Sequence, residues 1–394
     1  MKHKAHVAGV GMANFSTPSK GAVYTDLGLQ AITEALEDAG LDYQKIQQAY
    51  AGYVYGDSTC GQNVLYKVGM TGIPVVNVNN NCSTGSTALF LARQAVESGA
   101  ADCVLAVGFE QMTPGALQSY FNDRPNPLEP FAVAMNEAQG LAPETPVAAQ
   151  LFGGGGRSHM RKYGTRPETF AKISVKARKH AANNPKAVFR DVLSLDDVLA
   201  APMIFDPLTR FQCCPPTNGA AAAILCSEAF MDKHSLRKSV QILGQSMTTD
   251  TPASIDSGDM MDVVGYQMTN KAAKAVYEES GAGPDDIAVC ELHDCFTANE
   301  LITYEGLGLT PEGTAEKFIE DGDNTYGGKC VTNPSGGLLS KGHPLGATGL
   351  AQCYELVNQL RGGADKRQVD DAKLALQHNL GLGGACVVTM YGRA

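Results

Sequence analysis

One cysteine of the sequence stands where covalent chemistry could take place. Cys82 follows the apolar, β-branched run 73–78, which predicts a buried strand, and it precedes a helical pattern that ends at Gly99. Unpaired N–H groups and the helix macrodipole at such a turn favour a thiolate over a thiol. Cys82 is therefore a candidate nucleophile with donors for a developing oxyanion. The alternative is a buried structural cysteine, the usual state of a free thiol.

Three further stretches carry groups that could assist such a nucleophile. A predicted strand at 289–293 runs into a loop with His293 and Cys295, and His343 stands in a Gly-His-Pro turn. The glycine-rich stretch 377–384, which contains Gly381, joins the last two predicted strands. Imidazole and thiol groups are suited to general acid–base catalysis. Taken singly, each histidine is more often structural, so their functional reading requires that the fold bring them together.

The elements that would position these groups form an internal repeat. A predicted helix in the first half ends at Gly40, and Ile46 follows six residues later and leads into a strand. A predicted helix in the second half ends at Gly281, and Ile287 again follows after six residues. Alternating helices and strands of this kind predict an α/β fold with two mixed-sheet halves.

The repeat also relates the candidate nucleophile to one histidine. Cys82 lies three residues before Gly85, which opens a helix, and His343 lies three residues before Gly346, which opens another. Two copies of one α/β unit, related by a pseudo-two-fold axis, would place Cys82 and His343 at equivalent strand-to-helix turns. The symmetry would then bring a thiol and an imidazole into the same crevice.

The segment between the two halves has a different composition. Clustered prolines and the four glycines at 153–156 predict an inserted domain with long loops, which often carry binding sites. We predict an N-terminal half of residues 1–120 with 218–237, an inserted domain at 121–217 and a C-terminal half at 238–394. From Arg157 to Arg190 there are ten Lys or Arg and one acid, Glu168. This segment indicates a compact polyanionic ligand, such as a phosphorylated cofactor, or else a solvated helical face.

Composition excludes several other classes of protein. The net charge of −10 argues against general nucleic-acid binding, and no apolar run approaches the roughly 20 residues that span a bilayer. Eleven cysteines without any Cys-x-x-Cys unit favour reduced thiols, and we expect neither a disulfide framework nor a metal site. The sequence shows no secretory h-region and no terminal Ser-Lys-Leu, so we expect a cytoplasmic location.

Taken together, these motifs resemble those of the thiolase superfamily over essentially the whole chain. The stretch 81–86, the turn at His343 and the glycine-rich ending match the nucleophile, base and closing motifs in the family's order. His293-Asp294-Cys295-Phe296 stands where many thiolases carry Asn-Glu-Ala-Phe, which is similar to the sterol-carrier-protein type. The resemblance implies the thiolase fold, with two pseudo-two-fold-related halves and an inserted loop domain, and a homodimer. Animal members of that group are peroxisomal, which is the alternative location.

The resemblance also implies a reaction and a role for each group. It implies thiolysis of 3-ketoacyl-CoA, or the reverse Claisen condensation, with coenzyme A as a substrate and no permanently bound cofactor. Cys82 would be acylated after His343 takes its proton, and His293 and His343 would hold the enolate oxygen. The backbone N–H groups of Cys82 and Gly381 would bind the other oxyanion. Cys295 would supply the second acid–base thiol that most thiolases take from a Cys-x-Gly motif.

Several alternatives remain open at the level of sequence. Cys386 is a second candidate for the acid–base thiol, but it falls inside a predicted strand and is better suited to the core. A thiolase-fold retro-aldolase acting on steroid side-chain acyl-CoA would not need the covalent cysteine. A ketoacyl synthase acting on acyl carrier protein would not need the second thiol, and a non-catalytic acyl-CoA or lipid-binding protein would need none of these groups.

Overall fold

The computed structural model describes residues 4–115 and 117–394, and helices and strands alternate along most of the chain. The strands are β1 (Ala5–Met12), β2 (Gln48–Gly52), β3 (Val75–Val78), β4 (Cys103–Glu110), β5 (Met203–Phe205), β6 (Leu208–Thr209), β7 (Gly219–Ser227), β8 (Val240–Thr248), β9 (Val289–Glu291), β10 (Val331–Thr332), β11 (Leu374–Gly381) and β12 (Ala385–Arg393). The helices are α1 (Tyr24–Ala39), α2 (Cys60–Val68), α3 (Thr84–Glu97), α4 (Glu129–Gln139), α5 (Val147–Tyr163), α6 (Pro167–Ala181), α7 (Leu195–Leu199), α8 (Glu228–Lys233), α9 (Ala253–Asp256), α10 (Met260–Val263), α11 (Tyr266–Ser280), α12 (Thr297–Gly306), α13 (Ala315–Glu320), α14 (Gly337–Ser340) and α15 (Thr348–Arg361).

Ten of the strands form one mixed sheet whose two halves have the same topology. The sheet order is β10-β9-β11-β12-β8-β1-β7-β4-β2-β3. When the five strands of each half are numbered in chain order, both halves have the order third, second, fourth, fifth, first from the outer edge of the sheet to its centre. The parallel and antiparallel pairings also correspond between the halves. The halves meet where His6 of β1 pairs with Gln241 of β8. The predicted α/β fold with two related halves is confirmed, while the exact domain boundaries stay a prediction.

Glycines end the main helices of both halves where the sequence predicted. Gly40 after α1, Gly281 after α11 and Gly362 after α15 all have left-handed backbone conformations, with φ of 65°, 71° and 72°. Glycine adopts this conformation without steric cost, which explains why the helical pattern stops at these positions. The repeat read from the sequence therefore reflects equivalent helix ends in the two halves.

The strand that precedes the candidate nucleophile is not buried as predicted. β3 lies at one end of the sheet order, and Val76 within it is 41% exposed. Its only sheet neighbour among the described residues is β2, with which it pairs in parallel. An apolar, β-branched run satisfies the requirements of both a central strand and an edge strand, so the sequence pattern did not distinguish them.

The four consecutive glycines of the inserted segment lie in a helix, so the prediction of a long loop at these positions is wrong. Gly153, Gly154, Gly155 and Gly156 all lie inside α5 and are buried. A Cβ on Gly153 would lie 2.5 Å from the ring of Phe205, and one on Gly156 would lie 3.1 Å from the Cβ of Ala298. The glycines therefore allow neighbouring elements to pack closely against this helix.

The first turns of α3 and α15 meet at positions where no side chain fits. A Cβ on Gly85 would lie 2.7 Å from the carbonyl oxygen of Gly346, and one on Gly349 would lie 2.3 Å from the backbone nitrogen of Ser86. A Cβ on Gly346 would lie 2.4 Å from the carbonyl oxygen of Phe109. The turns that precede these two helices can approach each other only because glycine, which has no side chain, occupies these positions.

Among the described helices, none is both long and apolar enough to cross a membrane. All eleven cysteines are free thiols in the structure, and eight of them are buried.

We expect Gly346→Ala to lower the free energy of unfolding by about 1–3 kcal/mol, because its Cβ would meet backbone atoms rather than mobile side-chain ends. Gly384→Ala is the matched control, since no atom lies within 4 Å of a Cβ built there. Chemical denaturation of both variants measures the difference. Equal stability of the two variants would contradict this account of the close approach.

Candidate active site

Cys82 lies between β3 and α3, at the position that the sequence predicted. The first N–H groups at this turn are already occupied, because Ser83 N donates to Asn80 O and Thr84 N to Asn81 O, each at 3.1 Å. The thiol itself donates to Asn81 Oδ1 at 3.6 Å. Burial, together with the nearby charge of Glu110, raises the pKa of the Cys82 thiol to about 12. The expectation of a thiolate at this helix terminus is therefore wrong for the free protein, in which Cys82 is a neutral thiol.

His343 lies in the turn between α14 and α15, and its hydrogen bonds fix which ring nitrogen carries the proton. Nδ1 lies 2.7 Å from Thr348 Oγ1, and the Thr348 hydroxyl donates its own hydrogen to Pro344 O at 2.9 Å. Nδ1 must therefore be the protonated nitrogen, which leaves a lone pair on Nε2. Burial, and next the charge of Lys341, lower the pKa of His343 to about 3. The ring is a neutral base.

His293 shows the opposite arrangement of donor and acceptor. Its Nδ1 lies 3.0 Å from Asn379 Nδ2, which also donates to Cys82 O at 3.1 Å, while Asn379 Oδ1 accepts from Ser86 Oγ at 2.9 Å. The amide nitrogen therefore faces His293, so Nδ1 accepts and Nε2 carries the proton. Burial and the neighbouring imidazoles lower the pKa of His293 well below its ordinary value. This ring is a neutral donor.

The structure brings the three groups into one cluster. The Sγ of Cys82 and one ring nitrogen each of His293 and His343 all lie within 4.8 Å of one another. The two imidazole rings meet edge to face, with centroids 5.1 Å apart. Nε2 of His343 is buried and has no hydrogen-bond partner among residues 4–115 and 117–394. A neutral thiol, a free lone pair and an N–H donor therefore meet at one place.

Cys295 is buried in the loop between β9 and α12, and its thiol interacts electrostatically with those of Cys214 and Cys82. Its carbonyl oxygen accepts a hydrogen bond from Cys214 N at 2.9 Å. Burial raises the pKa of Cys295 well above the usual value of a thiol. Cys386, the other candidate for the acid–base role, is buried within β12, with its sulfur 3.7 Å from Thr269 Oγ1.

Gly381 ends β11 and lies directly against the turn that carries the nucleophile. A Cβ on Gly381 would be 2.2 Å from Asn80 O and 3.0 Å from Ser83 N. Only glycine allows this approach, so Gly381 is positioned beside Cys82. Its role as an oxyanion donor stays a prediction.

Buried carboxylates anchor the loops that carry the two histidines. Asp294, next to His293 in the sequence, accepts a hydrogen bond from Leu338 N in α14 at 2.7 Å. Glu291 forms a buried ion pair at 3.2 Å with Lys341, which lies two residues before His343 in the sequence. Both contacts tie the loop after β9 to the turn before α15.

Glu110 is a site residue that the sequence reasoning missed. It ends β4 and is fully buried, and it accepts hydrogen bonds from the backbone nitrogens of Val54 at 3.1 Å, Tyr55 at 2.9 Å and Gly346 at 2.9 Å. Glu110 therefore ties the N-terminal half to the turn that follows His343. A single acid at the end of the apolar run 103–109 is the signal that could have indicated it. Asn379 and Cys214 were also missed. Nothing in the sequence spacing of Cys214 indicated that its backbone nitrogen would donate a hydrogen bond to Cys295 O.

The basic segment is largely neutralised by internal ion pairs. Six of its ten cations pair with carboxylates: Arg157–Asp206, Lys162–Glu312, Arg166–Glu316, Lys172–Glu320, Lys176–Glu300 and Lys186–Glu34. In the part of the chain that the structure describes, the other four form no salt bridge: Arg161, Arg178, Lys179 and Arg190. Most of the positive charge read from the sequence therefore serves the fold, and binding of coenzyme A by this segment stays a prediction.

Comparison with family models identifies the chain. Residues 7–229 match the thiolase N-terminal domain, and residues 252–391 match the thiolase C-terminal domain-like family. The chain belongs to the thiolase family. The resemblance read from the sequence is confirmed, and so is the thiolase fold.

The relatives of this thiolase-family chain carry names from two functional groups. Sterol carrier protein 2 of Bos taurus is 56% identical over 394 residues, covering 99% of this chain and 72% of that protein. Benzoylsuccinyl-CoA thiolase subunit BbsB of Thauera aromatica is 36% identical, covering 100% of this chain and 98% of that protein. Among solved structures, the Ltp2-ChsH2(DUF35) aldolase has a TM-score of 0.83 at 25% identity, covering 100% and 98% of the two chains.

We expect Glu110→Gln to change the pH dependence of stability in a defined direction. Burial raises the pKa of Glu110 from 4.5 to about 7 despite its three N–H donors. The stability that its carboxyl contributes is complete below pH 4.5 and is lost as pH rises through 7, by about 3 kcal/mol. The wild type should therefore lose stability relative to Glu110→Gln over this interval.

Chemical denaturation at several values from about pH 5 to about pH 8 measures this difference. Glu37→Gln, which removes a carboxylate from the exposed side of α1, is the control and should show no such trend. A constant difference between wild type and Glu110→Gln would show that the Glu110 carboxyl does not titrate in this range.

Proposed function

We propose that this protein is an acyltransferase that cleaves 3-ketoacyl-CoA by thiolysis, or makes it by Claisen condensation, through an acyl-enzyme on Cys82. The observation that carries the proposal is the convergence of Cys82, His293 and His343 within 4.8 Å, with one imidazole set to accept and the other to donate. The relative named a benzoylsuccinyl-CoA thiolase subunit supports a CoA thioester as substrate.

The first half of the reaction uses the neutral thiol and the free lone pair. As Cys82 Sγ attacks the 3-keto carbon, its proton passes to Nε2 of His343, so no thiolate accumulates beforehand. The backbone N–H groups of Cys82 and Gly381 stabilise the tetrahedral oxyanion, and one such donor is typically worth about 3 kcal/mol of barrier. The Cα–Cβ bond then breaks and leaves an acyl group on Cys82 and an enolate.

The second half uses the two imidazoles as donors and Cys295 as a proton shuttle. His343, now protonated at Nε2, and His293, which already carries a proton there, both donate to the enolate oxygen. Cys295 gives its proton to the α-carbon, and the resulting thiolate takes the proton of the incoming CoA thiol. The CoA sulfur attacks the acyl group, and His343 returns its proton to Cys82. Each group thus ends in its starting state.

Two other functions are supported by specific comparisons. The structure named Ltp2-ChsH2(DUF35) aldolase supports an aldolase reaction in place of thiolysis. This corresponds to the alternative of a retro-aldolase on a steroid side-chain acyl-CoA, which would leave Cys82 unmodified. The sterol carrier protein relatives support a non-catalytic acyl-CoA or lipid-binding role, which would require neither thiol. Formation of a covalent acyl-enzyme separates both from the thiolase reaction.

Further parts of the proposal concern partners and location. We propose that acyl-CoA and CoA bind near the four unpaired cations of the segment from Arg157 to Arg190, without a permanently bound cofactor. The exposed edge of β3 supports a homodimer, because an unpaired edge is a ready site for pairing with another chain. A cytoplasmic location remains our expectation.

Cys82→Ala should abolish formation of the acyl-enzyme, because Cys82 supplies the sulfur of the cluster with His293 and His343. Intact-protein mass spectrometry after mixing with acetoacetyl-CoA, followed by peptide mapping, should show an acetyl group on Cys82 in the wild type only. Thiolysis should fall by roughly a thousandfold or more in the variant. Cys60→Ala is the control, since Cys60 lies at the start of α2 and outside the cluster. Thiolysis that persists in Cys82→Ala would contradict the nucleophilic role.

Cys295→Ala should separate the two kinds of step. Carbon–carbon bond breaking should fall by about 10²–10⁴-fold because the α-carbon loses its acid, while slow acylation of Cys82 by a simple acyl-CoA should continue. Thiolysis rates and acetyl transfer from acetyl-CoA, measured on the same preparation, test this. An equal loss of both steps would argue against the separate role of Cys295.

A further inference from the structure

The three groups of the active site are also a complete set of metal ligands. A cysteine sulfur and two imidazole nitrogens are donors that zinc prefers, and here they lie within 4.8 Å of one another. No sequence motif indicated such a site, because its ligands come from three separate turns rather than from a Cys-x-x-Cys unit. We propose that Cys82, His343 and His293 bind Zn²⁺, and that this binding reversibly blocks the nucleophile.

The distances require only small side-chain movements. Tetrahedral zinc with Zn–S of about 2.3 Å and Zn–N of about 2.0–2.1 Å places neighbouring ligand atoms about 3.4–3.6 Å apart. The ligand atoms of Cys82, His293 and His343 are already within 4.8 Å of one another, so they must converge by roughly 1 Å. Small rotations about the side-chain torsions of Cys82 and the two histidines can supply this change.

His343 is prepared to act as a metal ligand without any change of protonation. Its Nε2 lone pair is free and has no hydrogen-bond partner in the described part of the chain. Its Nδ1–H donates to Thr348 Oγ1, which fixes the ring orientation as the outer partners of zinc-bound histidines do.

His293 must change its tautomer to contribute. At present its Nδ1 accepts from Asn379 Nδ2, so Nε2 carries the proton. Coordination through Nε2 requires the proton to move to Nδ1 and the Asn379 amide to turn, which sacrifices the hydrogen bond to Cys82 O. His293 is therefore the weakest of the three ligands, and its removal should cost less affinity than removal of Cys82 or His343.

The charge balance of the site favours a divalent ion bound to one thiolate. Binding forms the Zn–Sγ and Zn–N bonds and releases the Cys82 proton to solvent, with no redox change. The complex of Zn²⁺ with one thiolate carries one net positive charge. The buried carboxylate of Glu110, which interacts electrostatically with the Cys82 thiol, offsets this positive charge. Three protein ligands leave the fourth position open for water, or for the thiol of Cys295, which interacts electrostatically with that of Cys82.

Anaerobic titration of the full chain with Zn²⁺, in competition with Co²⁺, tests this site without reference to catalysis. We expect one equivalent of metal, a thiolate-to-Co²⁺ charge-transfer band that Zn²⁺ removes, and release of one proton. Cys82→Ala should abolish the band, His343→Asn should weaken binding more than about 100-fold, and His293→Gln should weaken it by about 10–100-fold. Cys60→Ser, which removes a thiol from α2, is the matched control and should bind as the wild type does.

A band of undiminished strength in Cys82→Ala, or no band in folded wild-type protein, would overturn the proposal. Cys82→Ser provides a second test should Cys82→Ala fail to fold, and it should show no thiolate-to-Co²⁺ band. Inhibition of acyl transfer by Zn²⁺, reversed by a chelator, follows if the proposed function is also correct. Because the titration does not measure catalysis, failure of the zinc site and failure of the proposed function are distinguishable.

Discussion

Two backbone turns meet at Gly85, Gly346 and Gly349, and the geometry of the active site depends on that contact. Most of the atoms nearest these glycines are backbone carbonyl oxygens and amide nitrogens, which cannot move aside as a flexible side chain can. The contact fixes the first turns of α3 and α15 relative to each other, and with them the positions of Cys82 and His343. Glu110 reinforces it by accepting hydrogen bonds from both halves.

Hydrogen-bond direction gives two identical side chains different chemical roles. Thr348 accepts from His343 because its own hydroxyl hydrogen is committed to Pro344 O. Asn379 donates to His293 because its oxygen is committed to Ser86. Burial keeps both rings neutral, so neither role depends on the bulk pH near neutrality. The difference between the candidate base and the candidate donor is therefore determined by Thr348 and Asn379, which contact the imidazoles.

The sequence predicted the repeated α/β unit well because helix-ending glycines and apolar periodicity are local signals. Gly40, Gly281 and Gly362 ended the helices where expected. Cys82 precedes α3 and His343 precedes α15, but α14 lies between β10 and His343, so only Cys82 stands at a direct strand-to-helix turn. Local signals could not show that β3 is an edge strand, since that depends on which strands lie beside it. Nor could they show that the four consecutive glycines belong to a helix, because the reason lies in elements distant in sequence that pack against α5.

The candidate site was predicted in its principal groups and missed in its supporting ones. A nucleophile and a base have characteristic residue types, whereas Glu110, Asn379 and Thr348 act through contacts with partners far along the chain. The same limitation explains the wrong expectation of a thiolate at Cys82, because its burial and the nearby charge of Glu110 are tertiary features. The charge of the basic segment could not be interpreted from the sequence either, because all six acidic partners of its ion pairs lie outside the segment.

If Cys82 is the nucleophile, as proposed, its resting state as a neutral thiol has a consequence for chemical selectivity. Electrophiles and peroxides react with thiolates, so a cysteine whose pKa is raised to about 12 presents almost none of the reactive form to them. Such a side chain gains nucleophilic character only when an acceptor carbonyl lies close enough for attack and proton transfer to His343 to occur together. The same desolvation that opposes ionisation of Cys82 thereby limits its adventitious modification, and under the proposed function its reactivity would depend on a correctly positioned substrate.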